Sequence, residues 1–195
     1  MIKVEGAVAL ASRNAGKLRE LRALVGDRLE LVAQPESAPE VVEDGDSYLA
    51  NARLKAQAIA GLGGGWALAD DSGLEVDALD GRPGIHSARY GGDGLDDRQR
   101  YERLLAEMRG VTDRAARFRC TLVLAHADGR ECAADGTLEG QIALQPAGEG
   151  GFGYDPVFAA VPLDGRILAE VAREEKAAVS HRANAMQALL AKLAA

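Results

Sequence analysis

Apolar positions along the chain switch between two periods. Val4 to Ala11 is a short continuous apolar run bounded by the polar Ser12-Arg13-Asn14, the pattern of a buried strand. From Ala15 to Val25 the spacing changes: Leu18, Leu21, Leu24 and Val25 fall on one helical face, and Gly26 ends the helix. Leu29 to Ala33 reads as a strand and Pro35 to Asp44 as a Pro- and Glu-rich loop. Asp46 or Ser47 caps a second helix to Ala60, with Leu49, Ala52, Ala56 and Ile59 as its stripe and Gly61 as its stop. Trp66-Ala67-Leu68-Ala69 predicts a buried strand that stops on Asp70-Asp71. Asp96 or Asp97 opens a third helix carrying Tyr101, Leu104, Leu105 and Met108 on one face and ending at Gly110.

Beyond this point the alternation is that of strands. Phe118, Cys120, Leu122 and Leu124 alternate within Ala116 to Ala127, Asp128-Gly129 turns the chain, and Arg130 to Ala134 returns as the second arm of a hairpin. Thr137 to Leu144 and Val157 to Val161 are further strands, and Ser180 caps a last helix to about Leu193. Helices interleaved with strands early, followed by a run of antiparallel strands, predict a mixed α/β sheet flanked by helices. With 195 residues, no repeat and no long linker, residues 1–195 are expected to form a single domain.

Composition narrows the function classes. At 47% hydrophobic and 27% charged the chain is an ordinary globular sequence, and 4% aromatics leave the core to aliphatic residues. A formal net charge of -7 argues against binding to a nucleic-acid backbone, but leaves room for a local basic pocket that takes a nucleotide. Cys120 and Cys132 form no CxxC and read as reduced thiols. The apolar run from Ala7 to Ala11 is too short for a secretory segment or a membrane span, so the expected location is the cytoplasm, with no membrane partner.

Four constellations could carry chemistry. Ser12, Arg13, Asn14, Ala15, Gly16 and Lys17 lie where a strand turns into a helix. Free N–H groups and the helix dipole favour an anion there; the same pattern also fits an ordinary capped helix. Glu43 with Asp70, Asp71 and Ser72 supplies oxygen ligands of the kind Mg²⁺ prefers. Adjacent strand residues point to opposite faces, so Asp70 and Asp71 divide their tasks unless the strand ends or twists. Phe152, Gly153, Tyr154 and Asp155 follow a Gly-rich stretch and offer stacking beside a carboxylate. Lys176, His181 and Arg182 place cations at or near the start of the last helix, against the dipole, which calls for an anionic or hydrogen-bonding partner. Lys55 is a lesser candidate on the second helix. Cations, metal-grade carboxylates and a stacking aromatic together match the needs of a nucleotide polyphosphate with Mg²⁺.

The motifs ASRNAGK, ADDSGLEVDALDGRPGIHSARY, GFGYDP and Lys176 to SHRANA, in this order and spacing, closely resemble the inosine/xanthosine triphosphate pyrophosphatases of the Ham1 type. The resemblance covers nearly the whole chain. It implies an elongated mixed α/β fold, two lobes around an active-site cleft, a homodimer, and Mg²⁺-dependent hydrolysis of ITP, dITP or XTP to the monophosphate and pyrophosphate. Carried onto this chain, it makes Ser12 to Lys17 the triphosphate loop and Asp71 the proton acceptor and metal ligand. Ser72, Phe152 to Asp155, Lys176, His181 and Arg182 become substrate contacts, with Arg182 the donor to the 6-oxo group of the base. Glu43 is the second metal ligand, a role Asp44 could also claim. Relatives often have Glu where this chain has Ala50. Competing readings are a hydrolase of modified pyrimidine triphosphates, a non-catalytic nucleotide-binding module, and a phosphatase with a covalent Asp nucleophile that would release orthophosphate.

Overall fold

A computed structural model describes residues 2–92 and 94–195; of Ala15 only the backbone is described. The elements in chain order are β1 (Val8–Leu10), α1 (Ala15–Val25), β2 (Leu31–Ala33), α2 (Tyr48–Gly63), β3 (Trp66–Val76), α3 (Asp97–Glu107), β4 (Ala115–His126), β5 (Glu131–Ile142), β6 (Phe158–Ala160), β7 (Arg166–Ile167), α4 (Arg173–Val179) and α5 (His181–Ala194). The strands join in the order β2-β1-β3-β4-β5-β6-β7, a mixed sheet. β1 is parallel to both β2 and β3, whereas β6 is antiparallel to β5 and β7. The α/β class follows the sequence expectation.

Several boundaries differ from those expected. β1 is shorter than the apolar run that predicts it. α2 is capped by Ser47, whose hydroxyl accepts the Ala50 N–H at 3.3 Å, and it runs past Gly61 to end at Gly64 in the left-handed conformation. β3 does not stop on Asp70-Asp71 but continues to Val76. One strand, β5, replaces the two short ones expected between Arg130 and Leu144. β7 and α4 carry too little apolar periodicity to be predicted: the first has two residues, and the second opens Arg-Glu-Glu-Lys.

The chain forms two compact units. The first comprises residues 1–71, 120–136 and 182–195; the second comprises 72–119 and 137–181. Of the four chain crossings, three fall inside the long strands β3, β4 and β5 and the fourth at the start of α5, and no linker-like composition marks them.

In the first unit, α1 connects the parallel neighbours β1 and β2, and α2 connects β2 to β3 on the other side of β1, the arrangement of crossover βαβ units. Period-two alternation sends Val8, Leu10, Trp66 and Leu68 into one core with Leu21 and Val25 of α1 and Met186 and Leu189 of α5. Ala67 and Ala69, on the other parity, pack against Ala52, Ala56 and Ile59 of α2. Small residues on both sides let the helix lie close to the strand. Cys120 is buried in the first core and Cys132 is half-buried; neither is bonded to another cysteine.

The second unit has its own core: Leu74 and Val76 of β3, Phe118 of β4, Leu138 and Ile142 of β5, Phe158 of β6, and Leu104 and Met108 of α3. Asp96 and Gln99 close a capping box that starts α3. Gly140 sits directly against Phe158, where an added Cβ would lie 2.4 Å from the ring and 2.5 Å from the Ala159 carbonyl oxygen. Among the described residues no helix is long and apolar enough to cross a membrane. Since neither the β6 backbone nor the buried ring can yield, Gly140→Ala should cost about 1–3 kcal/mol, read as a lower denaturation midpoint in urea. An unchanged midpoint would contradict this close packing.

Candidate functional site

In the first unit, the alternation along β3 continues through the two aspartates. Asp70 shares the parity of Trp66 and Leu68 and points toward α1 and α5; Asp71 shares the parity of Ala67 and Ala69 and points toward α2. Their surroundings therefore differ completely. Asp70, 1% exposed, takes Lys17 Nζ on Oδ1 at 3.0 Å and Arg182 Nε on Oδ2 at 3.1 Å. Asp71 accepts from Asn51 Nδ2 on Oδ2 at 3.1 Å and from Lys55 Nζ on Oδ1 at 3.4 Å. Lys55 Nζ also lies 3.2 Å from Glu43 Oε2, bridging the two carboxylates.

The electrostatics separate the pair further. Burial alone pushes the Asp70 carboxyl up, but the charges of Lys17, Arg182 and Lys55 override it and hold Asp70 far below the usual carboxylate range. For Asp71 the balance is reversed. Burial, with the nearby Glu43 and Asp70 charges, outweighs Lys55 and the Asn51 hydrogen bond, and the carboxyl is shifted up. Burial of Lys55 lowers its affinity for a proton, but Asp71, Asp70 and Glu43 together raise it, so Lys55 stays a cation. Adjacent carboxylates driven in opposite directions are a recognised sign of divided roles: one fixed charge and one poised acceptor.

The turn that carries Ser12 to Lys17 follows β1. Asn14 is the N-cap of α1, and its Oδ1 accepts the Gly16 N–H at 2.8 Å and the Lys17 N–H at 3.2 Å. The Ser12 hydroxyl accepts the Asn14 N–H at 3.1 Å. Gly16 allows this cap, since a Cβ there would lie 2.9 Å from Asn14 Oδ1. Arg13 donates from Nη2 to the Ala38 carbonyl at 2.7 Å, tying down the loop that leads to Glu43. The side chain of Ala15 lies outside what is described. A cavity of about 210 Å³ in this unit is lined by Ser12, Arg13, Lys17, Glu43, Lys55 and Asp70 among others. It has the cation lining and the helix N-terminus that a phosphate group requires.

Arg182 at the start of α5 has its anionic partners within the unit: Asp70, and Glu20 at 3.5 Å. These offset the helix dipole that disfavours a cation there. Asn51 is a functional candidate that the sequence did not single out. It is fully buried, and its Oδ1 accepts the Gly45 N–H at 2.9 Å while its amide holds Asp71. One amide thus joins Asp71 to the loop bearing Glu43. The available signal is a polar residue beside the apolar stripe of α2, one turn before Lys55.

Among the described residues no group of three or more His, Cys, Asp or Glu side chains is arranged to hold a metal. Two carboxylates, Asp71 and Glu43, do converge on Lys55, and burial, the largest cause, shifts the Asp71 carboxyl up. That donor set fits Mg²⁺, which usually takes one or two protein carboxylates and completes its shell with water and phosphate oxygens.

The second unit holds the remaining candidates. Phe152 is 57% exposed, and Lys176 Nζ lies 4.8 Å from its ring centroid. Asp155 is buried and accepts both Lys176 Nζ and the Phe152 N–H, the latter at 2.9 Å. Gly151 is required here: its φ is +75°, and a Cβ would lie 2.1 Å from Asp155 Oδ2. Tyr154 is buried, and its hydroxyl donates to the Ser87 carbonyl at 2.9 Å. His181 stacks on Phe118 with centroids 5.0 Å apart and planes 16° from parallel. Ser72 is half-buried on β3. Of the four residues read as a stacking motif, Phe152 is thus presented outward, while Tyr154 and Asp155 face inward and hold it.

Asp70→Asn should destabilise the chain by about 3 kcal/mol, because it leaves buried Arg182 under-paired. The carboxyl is depressed in the folded state, so its contribution is complete above about pH 4 and is lost as pH falls below that value. Urea midpoints measured from neutral to acid pH should therefore show a shallower acid decline in Asp70→Asn than in the wild type; parallel declines would contradict the assignment.

The chain is 51% identical over 182 residues to a dITP/XTP pyrophosphatase of Thermosynechococcus vestitus, covering 92% of this chain and 91% of that protein. It is 50% identical over 189 residues to the dITP/XTP pyrophosphatase of Salmonella typhimurium, covering 94% and 95%. Among solved structures, a HAM1 protein from Coxiella burnetii superimposes with a TM-score of 0.90 at 37% identity, covering 97% of this chain and 99% of that one. A nucleoside-triphosphatase / dITP/XTP pyrophosphatase from Mycobacterium abscessus superimposes with a TM-score of 0.79 at 42% identity, covering 95% and 99%. The model of the Ham1 family matches residues 8–192, which takes in the Ser12–Lys17 turn, both aspartates, the aromatic loop and the start of α5, and the chain belongs to that family.

Proposed function

We propose that this chain is a nucleoside triphosphate pyrophosphatase that hydrolyses non-canonical purine nucleoside triphosphates, ITP, dITP and XTP, to the monophosphate and pyrophosphate, and so cleanses the nucleotide pool. The observation that carries the reading is the split pair on β3, with Asp70 locked as a counter-ion and Asp71 poised beside Lys55 and Glu43. The names of relatives at about half identity support the reaction class.

In the proposed reaction a water oxygen bonds to the α-phosphorus as the bond to the bridging oxygen breaks and pyrophosphate departs. Asp71 orients that water and takes its proton; the upward shift of its carboxyl suits a proton acceptor. Lys17 and Lys55 offset the charge that develops on the leaving group, and Ser12, Arg13 and Lys17 of the turn line the cavity assigned to the phosphates. Asp71 and Glu43 would hold Mg²⁺, which when bound supplies further positive charge to the phosphate oxygens.

In the second unit, Phe152 offers a ring face for a planar base, with Lys176 close by. Stacking alone cannot tell one purine from another, so selectivity is assigned to polar groups. His181 and Arg182 are proposed as the residues that favour a 6-oxo purine over adenine, since buried donors left unpaired discriminate strongly. Ser72, Gly153, Tyr154 and Asp155 complete the proposed substrate set. A homodimer in the cytoplasm is the proposed working form.

Three outcomes test the reading. Incubated with Mg²⁺ and a panel of nucleoside triphosphates, the protein should release pyrophosphate from ITP, dITP and XTP far faster than from ATP; orthophosphate as the first product would contradict it. Asp71→Asn should lower kcat for ITP by about 10² or more, and near-wild-type turnover at saturating Mg²⁺ would remove Asp71 from the chemistry. For the base, Arg182→Ala should narrow the ITP-to-ATP ratio of kcat/KM, a ratio unaffected by any loss of folded protein. An unchanged ratio would remove Arg182 from base reading.

A further inference from the structure

Three consecutive residues in the second unit donate hydrogen bonds to three different places. The Phe152 N–H goes to Asp155 Oδ2 at 2.9 Å, the Gly153 N–H to Asp97 Oδ2 at 2.7 Å, and the Tyr154 hydroxyl to the Ser87 carbonyl at 2.9 Å. The result is an exposed aromatic ring on a fully tethered backbone. Asp155 and Tyr154 are buried parts of the loop's own packing. Asp97 is different. It is the first residue of α3, 56 positions away in sequence, and its side chain is 54% exposed. Its one ion pair, to Arg100 at 3.4 Å, is a surface contact of the i,i+3 type and adds little stability. The short contact to Gly153 is its distinctive bond. Gly153 sits at a φ of +60°, a conformation that a tether on its N–H helps to fix.

We infer that Asp97 is a positioning residue that sets the orientation of the Phe152 ring through the Gly153 N–H, and through it the fit of the purine base. The inference rests on the proposed function, in which Phe152 receives that base. Helix α3 then acts as a fixed post for the platform. Ser87 supports it from a second side: its hydroxyl donates to the Gly84 carbonyl at 2.7 Å and accepts the Leu74 N–H at 2.8 Å, anchoring the carbonyl that Tyr154 uses to β3.

The test compares wild type, Asp97→Ala and Asp97→Asn in the full chain. Loss of a charge-assisted hydrogen bond to the platform should raise KM for ITP about fivefold in Asp97→Ala, with kcat changed by less than about twofold. Inhibition by inorganic tripolyphosphate, which has no base, should be unchanged. Amide exchange in the 151–155 segment should speed up, and Asp97→Asn, which keeps an acceptor oxygen, should restore both KM and exchange. Unchanged KM in Asp97→Ala would overturn the inference. So would a matching loss of tripolyphosphate inhibition or a fall in kcat alone, either of which marks a general structural defect. If wild type does not turn over ITP, the proposed function fails separately, and the tether stands or falls on exchange: faster in Asp97→Ala supports it, and equal rates refute it.

Discussion

Two carboxylates at consecutive positions of one strand must face opposite ways, and the first unit is arranged around that constraint. A buried carboxylate is costly unless cations and hydrogen bonds replace its water. Asp70 therefore requires Lys17 from α1 and Arg182 from α5, which brings the two helices on that side of β3 to a common anchor. Asp71 requires Asn51 and Lys55 from α2, and through them the loop that carries Glu43. The fold and the proposed chemistry are thus one arrangement. The carboxylate that takes two cations is held as a counter-ion, and the one that burial shifts up is the proposed site for water and a metal ion.

The second unit solves a different problem, that of displaying an aromatic ring without letting it wander. Its core is aliphatic and aromatic, and Gly140 lets Phe158 lie flat against β5. The ring of Phe152 is outside that core, so its position depends on hydrogen bonds to the loop backbone and on the Lys176 and Asp155 pair beneath it. The Gly-rich stretch before Phe152 is needed for space as well as for turning: Gly151 leaves no room for a side chain beside Asp155.

Much of this was legible in the sequence where the determining contacts are local. The limits of α1 follow from its apolar stripe, Asn14 and Gly26, and Ser47 is one of two caps expected for α2. That Asp70 and Asp71 face opposite sides follows from strand geometry alone. The continuation of β3 through Asp-Asp-Ser-Gly was not legible, because that composition reads as a turn. Partners 53 and 112 residues away override the local preference. The same distance effect hid the tasks of single residues. The Ser12–Lys17 turn reads either as an anion site or as an ordinary capped helix; Asn14 does cap α1, while the bond from Arg13 to the Ala38 carbonyl spans 25 positions and has no local signal. The Asn51 amide bridge shows only as a polar residue beside an apolar stripe, and the bond from Gly153 to Asp97 has no sequence signal because the two are 56 positions apart. Helix α4 lacks an apolar stripe, and β7 is too short to show an alternation.

The central claim is that water, handled by Asp71, attacks the α-phosphorus. Hydrolysis of ITP in water enriched in oxygen-18 tests it most directly, because the label marks the phosphorus that was attacked. The account predicts one labelled oxygen in the inosine monophosphate and none in the pyrophosphate. Label in pyrophosphate, or in released orthophosphate, would contradict it.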